Sequence, residues 1–306
     1  MGSLYGYELE SELPLGRLSA VAGVRGGLSV RRAAGELLDR PGELTAWRDW
    51  PGSDAHFALA RSHGRILASC TATGDYEIDP GAGTIAVSAR AAGEDWEHRL
   101  GTTAVPLLLA ERGDLVLHAS AVMIGGRAAL FCGPSGRGKS TLALMASSAG
   151  IPVVGEDGAV VALEGERATV WPGARGVRTD AGRGRALRTT SDALAASGPA
   201  PVGAVCFLAP RGDELELTAL EPARAVSSLV PSLIHTGDDG ALRAGFERLV
   251  RLLEIVPAFR VSMPDSLAAG PQATRSLVAS LSASSAAFAA PSQPSSRAAS
   301  VALRRR

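Results

Sequence analysis

The stretch Gly133-Pro134-Ser135-Gly136-Arg137-Gly138-Lys139-Ser140-Thr141 satisfies the pattern G-x-x-x-x-G-K-[ST]. Each residue type in it has a task. The glycines let the backbone curl so that successive N–H groups point at phosphate oxygens. Lys139 reaches toward β- and γ-phosphates as a compact positive charge, and the Ser140 hydroxyl is a ligand for Mg²⁺. A helix starting at this point adds the positive end of its dipole. The cofactors expected from these residues are ATP and Mg²⁺.

A second informative stretch follows one helix later. Ile151-Pro152-Val153-Val154 reads as a short strand running into Gly155-Glu156-Asp157. A right-handed crossover would set this strand parallel to the phosphate-loop strand and close to it, with both acids facing the loop. Paired carboxylates there divide two tasks: one holds the metal with Ser140, a role expected of Asp157, and the other orients the attacking hydroxyl. Taken alone, Glu156 and Asp157 would read as a polar turn; beside a phosphate loop the functional reading leads.

Elements must position these groups. Ala128-Ala129-Leu130-Phe131-Cys132 is an apolar run suited to a buried strand, and Leu142, Met145, Ala146 and Ala149 recur at helical spacing after the loop, with Gly150 as the stop. Upstream, the apolar stretch from Leu115 to Ile124 is followed by Gly125-Gly126, a hairpin signal, so the phosphate-loop strand gains an antiparallel partner directly before it. His118 falls near the start of that hairpin. It reads equally well as a partly buried histidine at a strand bend and as a site residue.

Residues 1–110 read as a β-rich front region, with strands at His56–Ala60, Arg65–Ser69, Tyr76–Ile78 and Thr84–Ser88. His56, His63 and His98 each stand alone and read as exposed. A helix is expected over Asp95–Arg112. Residues 111–281 hold the phosphate loop and read as an α/β domain with a mixed sheet. Beyond the acids a hairpin is expected around Glu164-Gly165. Next comes a glycine-rich loop carrying Arg175, Arg178, Arg183, Arg185 and Arg188. A strand follows at Val202–Leu208, ending without an acid. Two helices, one from Pro222 and one marked by Leu242, Phe246, Leu249 and Leu253, precede a last strand near Ala258–Met263. Residues 282–306 are rich in Ser, Ala and Pro and read as disordered.

Composition excludes several classes. The formal net charge of the 306 residues is zero, so no long-range field recruits nucleic acid or an anionic membrane. The three cysteines form no C-x-x-C pair and suggest neither a disulfide framework nor a zinc site. The polar, acidic stretch Met1–Glu12 does not read as a signal peptide, and the apolar runs are too short to span a bilayer. The expected location is cytoplasmic.

The combination of His118 before the hairpin, Gly133 to Thr141, and acids 17 and 18 positions beyond Lys139 resembles the catalytic domain of HPr kinase/phosphorylase and its relatives. The resemblance is specific over Leu115 to Val161. It implies a P-loop serine kinase that moves the γ-phosphoryl group of ATP to a serine hydroxyl of a peptide or protein. Glu156 and Asp157 would then stand for the family's two aspartates and His118 for its active-site histidine, in a chain that tends toward homo-oligomers. The sequence departs from the family pattern at Glu156 (for Asp), Thr141 (for Glu) and Ala119 (for Gly), and it lacks the downstream loop linked to the phosphorylase reaction. It therefore resembles the divergent relatives that act on ribosomally made peptides. A small-metabolite kinase and an ATP-binding module without transfer chemistry remain the alternatives. An ABC-type module is disfavoured because no L-S-G-G signature occurs.

Overall fold

The protein is described by a computed structural model covering residues 3–16, 25–34, 43–49, 56–71, 73–89, 95–174, 177–181, 184–188, 196, 198–237, 239–264 and 270–284. Two mixed sheets and a few helices make an α/β fold.

The first sheet is built from β1 (Ser3–Leu4), β2 (Tyr7–Ser11), β3 (Gly27–Arg32), β4 (Glu43–Asp49), β5 (His56–Ser62), β6 (Arg65–Cys70), β7 (Gly74–Asp79) and β8 (Thr84–Ala89). Their order is β1-β2-β3-β8-β7-β6-β5-β4. The four strands expected between His56 and Ser88 are β5 to β8, paired antiparallel in sequence order. The β2-β3-β8 pairings are parallel.

The expected single helix from Asp95 is interrupted. It runs as α1 (Asp95–Arg99), a π-helical turn (Leu100–Ala104) and α2 (Val105–Glu111). Pro106 has no N–H to offer the Thr102 carbonyl, so the α register cannot close there. Gly101 also lies so close to Ala174 that a Cβ would come within 2.6 Å of the Ala174 Cβ.

The second sheet carries the glycine-rich loop from Gly133 to Thr141. Its strands are β9 (Leu115–Leu117), β10 (Ala119–Ile124), β11 (Arg127–Cys132), β12 (Val153–Gly155), β13 (Ala159–Glu164), β14 (Arg167–Val170), β17 (Ala200–Leu208), β18 (Glu216–Ala219) and β19 (Ala258–Ser262). The order is β12-β10-β11-β17-β14-β13-β9, with β19 beside β17 and β18 beside β19. β10 and β11 form the expected hairpin, and Gly125 and Gly126 turn it at φ 55° and 81°.

One expectation is corrected here. β12 does not lie against β11: β10 stands between them, antiparallel to both. β10 holds one edge of β11 and β17 the other, so β12 can only join the outer edge of β10. It still runs in the same direction as β11, which is what carries the acids to the loop's side.

Helices cover both faces of this sheet. α3 (Lys139–Ser148) and α6 (Gly270–Ser284) pack Leu142, Ala143, Ala146, Leu277 and Leu281 on one face. Leu229 of α4 (Pro222–Leu229) and Leu249 and Leu252 of α5 (Asp239–Ile255) pack on the other. The segment expected as a glycine-rich loop instead contains a two-stranded hairpin, β15 (Val177–Ala181) with β16 (Gly184–Arg188). Arg175 and Arg183 lie outside the described residues, as does the tail beyond Ser284. No helix among the described residues is long and apolar enough to cross a membrane.

A single buried cluster ties the two sheets together. It joins Tyr5, Val30, Ile78 and Ile85 to Leu108 of α2 and to Val116 and Val160 of the second sheet. Leu108 is fully buried within it. Leu108→Ala should therefore cost about 2–5 kcal/mol. Urea unfolding followed by Trp fluorescence and by far-UV circular dichroism should show one shared transition moving to lower denaturant.

Candidate functional site

β11 ends at Cys132 and the chain turns at Gly133, whose φ is 146°. A Cβ there would come within 3.0 Å of the Leu208 carbonyl oxygen on β17, so only glycine allows this approach. α3 then begins from Gly138, a left-handed N-cap (φ 98°) with no side-chain cap bond. No side chain caps the first turn, leaving its N–H groups to serve an anion. Lys139 is 6% exposed. Its Nζ donates to the Gly133 carbonyl at 2.7 Å and to the Pro134 carbonyl at 3.3 Å. The ammonium thus lies folded within the loop.

β12 delivers Glu156 and Asp157 to this loop. The Ser140 hydroxyl donates to Glu156 Oε1, and Glu156 is 3% exposed. The acid beside Ser140 is therefore Glu156, where the sequence led us to expect Asp157. The additional methylene of Glu gives the reach. Asp157 instead meets His118. The ring Nδ1 lies 3.1 Å from the Asp157 carbonyl oxygen and 3.2 Å from Oδ1. Both partners only accept, so Nδ1 carries the proton. The His118 and Asp157 side chains keep 35% and 26% of their surface exposed, so an incoming group can reach them.

Local backbone explains both placements. His118 sits at the break between β9, which pairs with β13, and β10, which pairs with β11. Its N–H leaves the ladder and donates to the Ser232 carbonyl at 2.7 Å. Asp157 is left-handed at φ 62°, a conformation that costs a non-glycine residue on the order of 1 kcal/mol and that Asp tolerates better than most.

The charges around Asp157 come from three elements. Burial alone would raise its carboxyl, but His118, Arg99, His98 and Lys139 outweigh that and hold it below the ordinary carboxylate range. His98 was expected to be exposed; it is buried in α1 and is among the groups whose charge acts on this carboxylate. His63 is exposed as expected, and the His56 side chain lies outside the described residues. Burial pushes the Cys132 thiol up to about 12, so the thiol beside the loop is no nucleophile at neutral pH. The other two cysteines are likewise free and buried.

Four neighbours of the site escaped sequence reasoning: Tyr5, His98, Arg99 and Arg211. The Arg211 guanidinium comes within 3.6 Å of where a Cβ on Gly138 would stand. Only the pairing of β17 beside β11 brings Arg211 there, and no local pattern signals it. His98 and Arg99 precede a Gly-Thr-Thr-Ala-Val-Pro run that breaks the helix, which is the one signal that could have drawn attention to them.

Among the described residues no group of three or more His, Cys, Asp and Glu side chains forms a cage for a metal ion. Mg²⁺ bound with a nucleotide needs no such cage, because phosphates and water supply most ligands. The adjoining Ser140 hydroxyl and Glu156 carboxylate are oxygen donors of the type it takes.

No protein-family model matches the chain, and no curated protein sequence matches it. Among solved structures, the Hpr(Ser) kinase/phosphatase from Coxiella burnetii is similar over 54% of this chain and 94% of its own, with 14% identity and a TM-score of 0.33. That is a weak likeness to a kinase, and at such a TM-score it carries no inference about what this chain does.

The depressed Asp157 carboxyl has a defined pH signature. The unfolded chain binds this proton more readily than the folded one. Its contribution to stability is therefore complete above about pH 4 and fades as pH falls toward the folded value. In urea titrations, the stability gap between the wild type and Asp157→Asn should narrow from pH 5 to pH 3. An unchanged gap would show that folding does not depress the Asp157 carboxyl.

Proposed function

We propose that this chain is an ATP-dependent phosphotransferase that passes the γ-phosphoryl group to a serine hydroxyl of a peptide or protein. The observation that carries the reading is the meeting of Ser140 with Glu156. It joins the first turn of the phosphate loop's helix to the acidic end of β12.

In this reading the N–H groups from Gly136 to Ser140 hold the triphosphate, and Lys139 leaves the Gly133 and Pro134 carbonyls for the β- and γ-phosphates. Ser140 and Glu156 would hold Mg²⁺, which would supply charge neutralisation at the phosphate oxygens. Arg211 approaches the same loop and adds a second cation. Asp157, braced by His118, orients the acceptor hydroxyl and takes its proton. The serine oxygen forms the new P–O bond as the bond to the β-phosphate oxygen breaks, and ADP leaves. The exposed edges of His118 and Asp157 support an acceptor arriving from solvent. The resemblance in the segment Leu115–Val161 supports serine as its chemistry and homo-oligomers as the state of assembly.

γ-Labelled ATP with a pool of serine-containing peptides tests this. Label on peptide serine supports the reading; label on a small metabolite, or release as free phosphate alone, contradicts it. Lys139→Ala should abolish transfer. Glu156→Gln should lower kcat on the order of 10²–10³-fold with ATP still bound. Arg211→Ala should weaken ATP binding about tenfold and leave AMP binding unchanged, measured by calorimetric titration.

A further inference from the structure

The hairpin of β1 and β2 turns at Tyr5-Gly6, with φ of 53° and 82°. Two-residue turns of this kind favour Asn or Gly and usually face water. Here a tyrosine holds the first turn position and is 0% exposed. The tip is driven into the protein. A Cβ on Gly6 would come within 2.4 Å of the Trp171 ring. The Tyr5 N–H donates to the Pro172 carbonyl at 2.8 Å, and its hydroxyl donates to the Gly101 carbonyl in the π-helical turn at 2.9 Å.

The tyrosine also touches the acid loop. A Cβ on Gly158, the residue after Asp157, would stand 3.2 Å from the Tyr5 hydroxyl. One on Gly173 would stand 3.0 Å from the ring carbon Cε1 and 3.2 Å from the hydroxyl. Behind the tip, Arg25 lies over the Tyr7 and Trp171 rings at 4.9 and 5.7 Å and pairs with Asp114 at 2.6 Å. Burial, then the charges of Asp157 and Glu156, push the Tyr5 hydroxyl pKa far up, so the group stays a neutral donor.

We propose that Tyr5 is a positioning residue: its hydroxyl and ring wedge the Asp157–Gly158 backbone against the π-helical turn, fixing Asp157 in the left-handed conformation that faces His118. The inference rests on reading the chain as a phosphotransferase. It assigns the buried hairpin tip a part in turnover and none in nucleotide binding. The phosphate loop is carried by β11 and α3, which Tyr5 does not touch in any of these contacts.

A double-mutant cycle on the full chain tests it, using γ-labelled ATP, Mg²⁺ and pooled serine peptides. Gly158→Ala sets a methyl against the Tyr5 hydroxyl and should lower the transfer rate at saturating ATP about tenfold or more, with KM for ATP within about twofold. Tyr5→Phe alone gives up the hydroxyl's share of the wedge and should transfer about threefold more slowly than the wild type; in the double variant it also removes the oxygen in the methyl's way, so the double variant should match Tyr5→Phe and exceed Gly158→Ala. Gly173→Ala meets the same hydroxyl but also the ring carbon Cε1, which phenylalanine keeps, so Tyr5→Phe should rescue it less completely than it rescues Gly158→Ala. The same cycle read by thermal unfolding reports the contact without needing turnover. Full activity in Gly158→Ala, or a double variant no faster than Gly158→Ala, overturns the positioning role while leaving the phosphotransferase reading intact. A wild type that binds no ATP, or a Lys139→Ala variant that transfers at the parent rate, overturns that reading and the positioning role with it.

Discussion

A carboxylate buried beside the glycine-rich loop is the constraint on which the rest of the site depends. Glu156 is almost wholly removed from water, and a charge so placed is costly unless something fixed receives it. Here the Ser140 hydroxyl donates to one of its two oxygens. That contact links the start of α3 to the end of β12 across a sheet in which β10 separates β12 from β11. The hairpin before the phosphate loop therefore has a geometric task. It fills the edge of β11, moves the acidic strand one place outward, and makes a longer acid the suitable one at Ser140.

The second acid is handled differently. Asp157 stays partly open, adopts a left-handed backbone and is surrounded by positive charge from α1, from α3 and from the bend before β10. Two carboxylates adjacent in sequence thus differ in their surroundings, although both are largely withdrawn from water. One is buried against a hydroxyl that can share a metal ion; the other is accessible and charge-stabilised beside a histidine whose proton position is fixed by its acceptors. Such divergence within a pair is how neighbouring acids come to do different chemistry. Groups from earlier in the chain reach this pair: Arg99 and His98 of α1 lower the Asp157 carboxyl, and Tyr5, from the hairpin of β1 and β2, lies within the field of both acids.

Much of this was legible in the sequence, for identifiable reasons. The Gly-Gly hairpin, the strand into the loop and the helix out of it are local patterns, and local backbone chemistry sets them. The acids were found because one helix of fixed length separates them from Lys139. Which acid meets Ser140 was not legible: it depends on β10 intervening between β11 and β12, a pairing choice made across the sheet. His98 read as exposed because it stands alone among surface-type residues, whereas its burial comes from packing of α1, whose Trp96 carbonyl accepts from the Tyr76 hydroxyl of β7, against the first sheet. Arg211 and Tyr5 are brought to the site by strand pairing and by a hairpin tip inserted from far away, and neither leaves a periodic signal.

The account requires the phosphate loop and the Glu156 carboxylate to serve one metal–nucleotide complex. Mn²⁺ in place of Mg²⁺, followed by water-proton relaxation, tests this most directly. Mn²⁺ should bind the protein tightly only with ATP present, and Glu156→Gln should weaken that binding about tenfold while His118→Ala leaves it unchanged. Mn²⁺ affinity indifferent to ATP, or indifferent to Glu156, would contradict it.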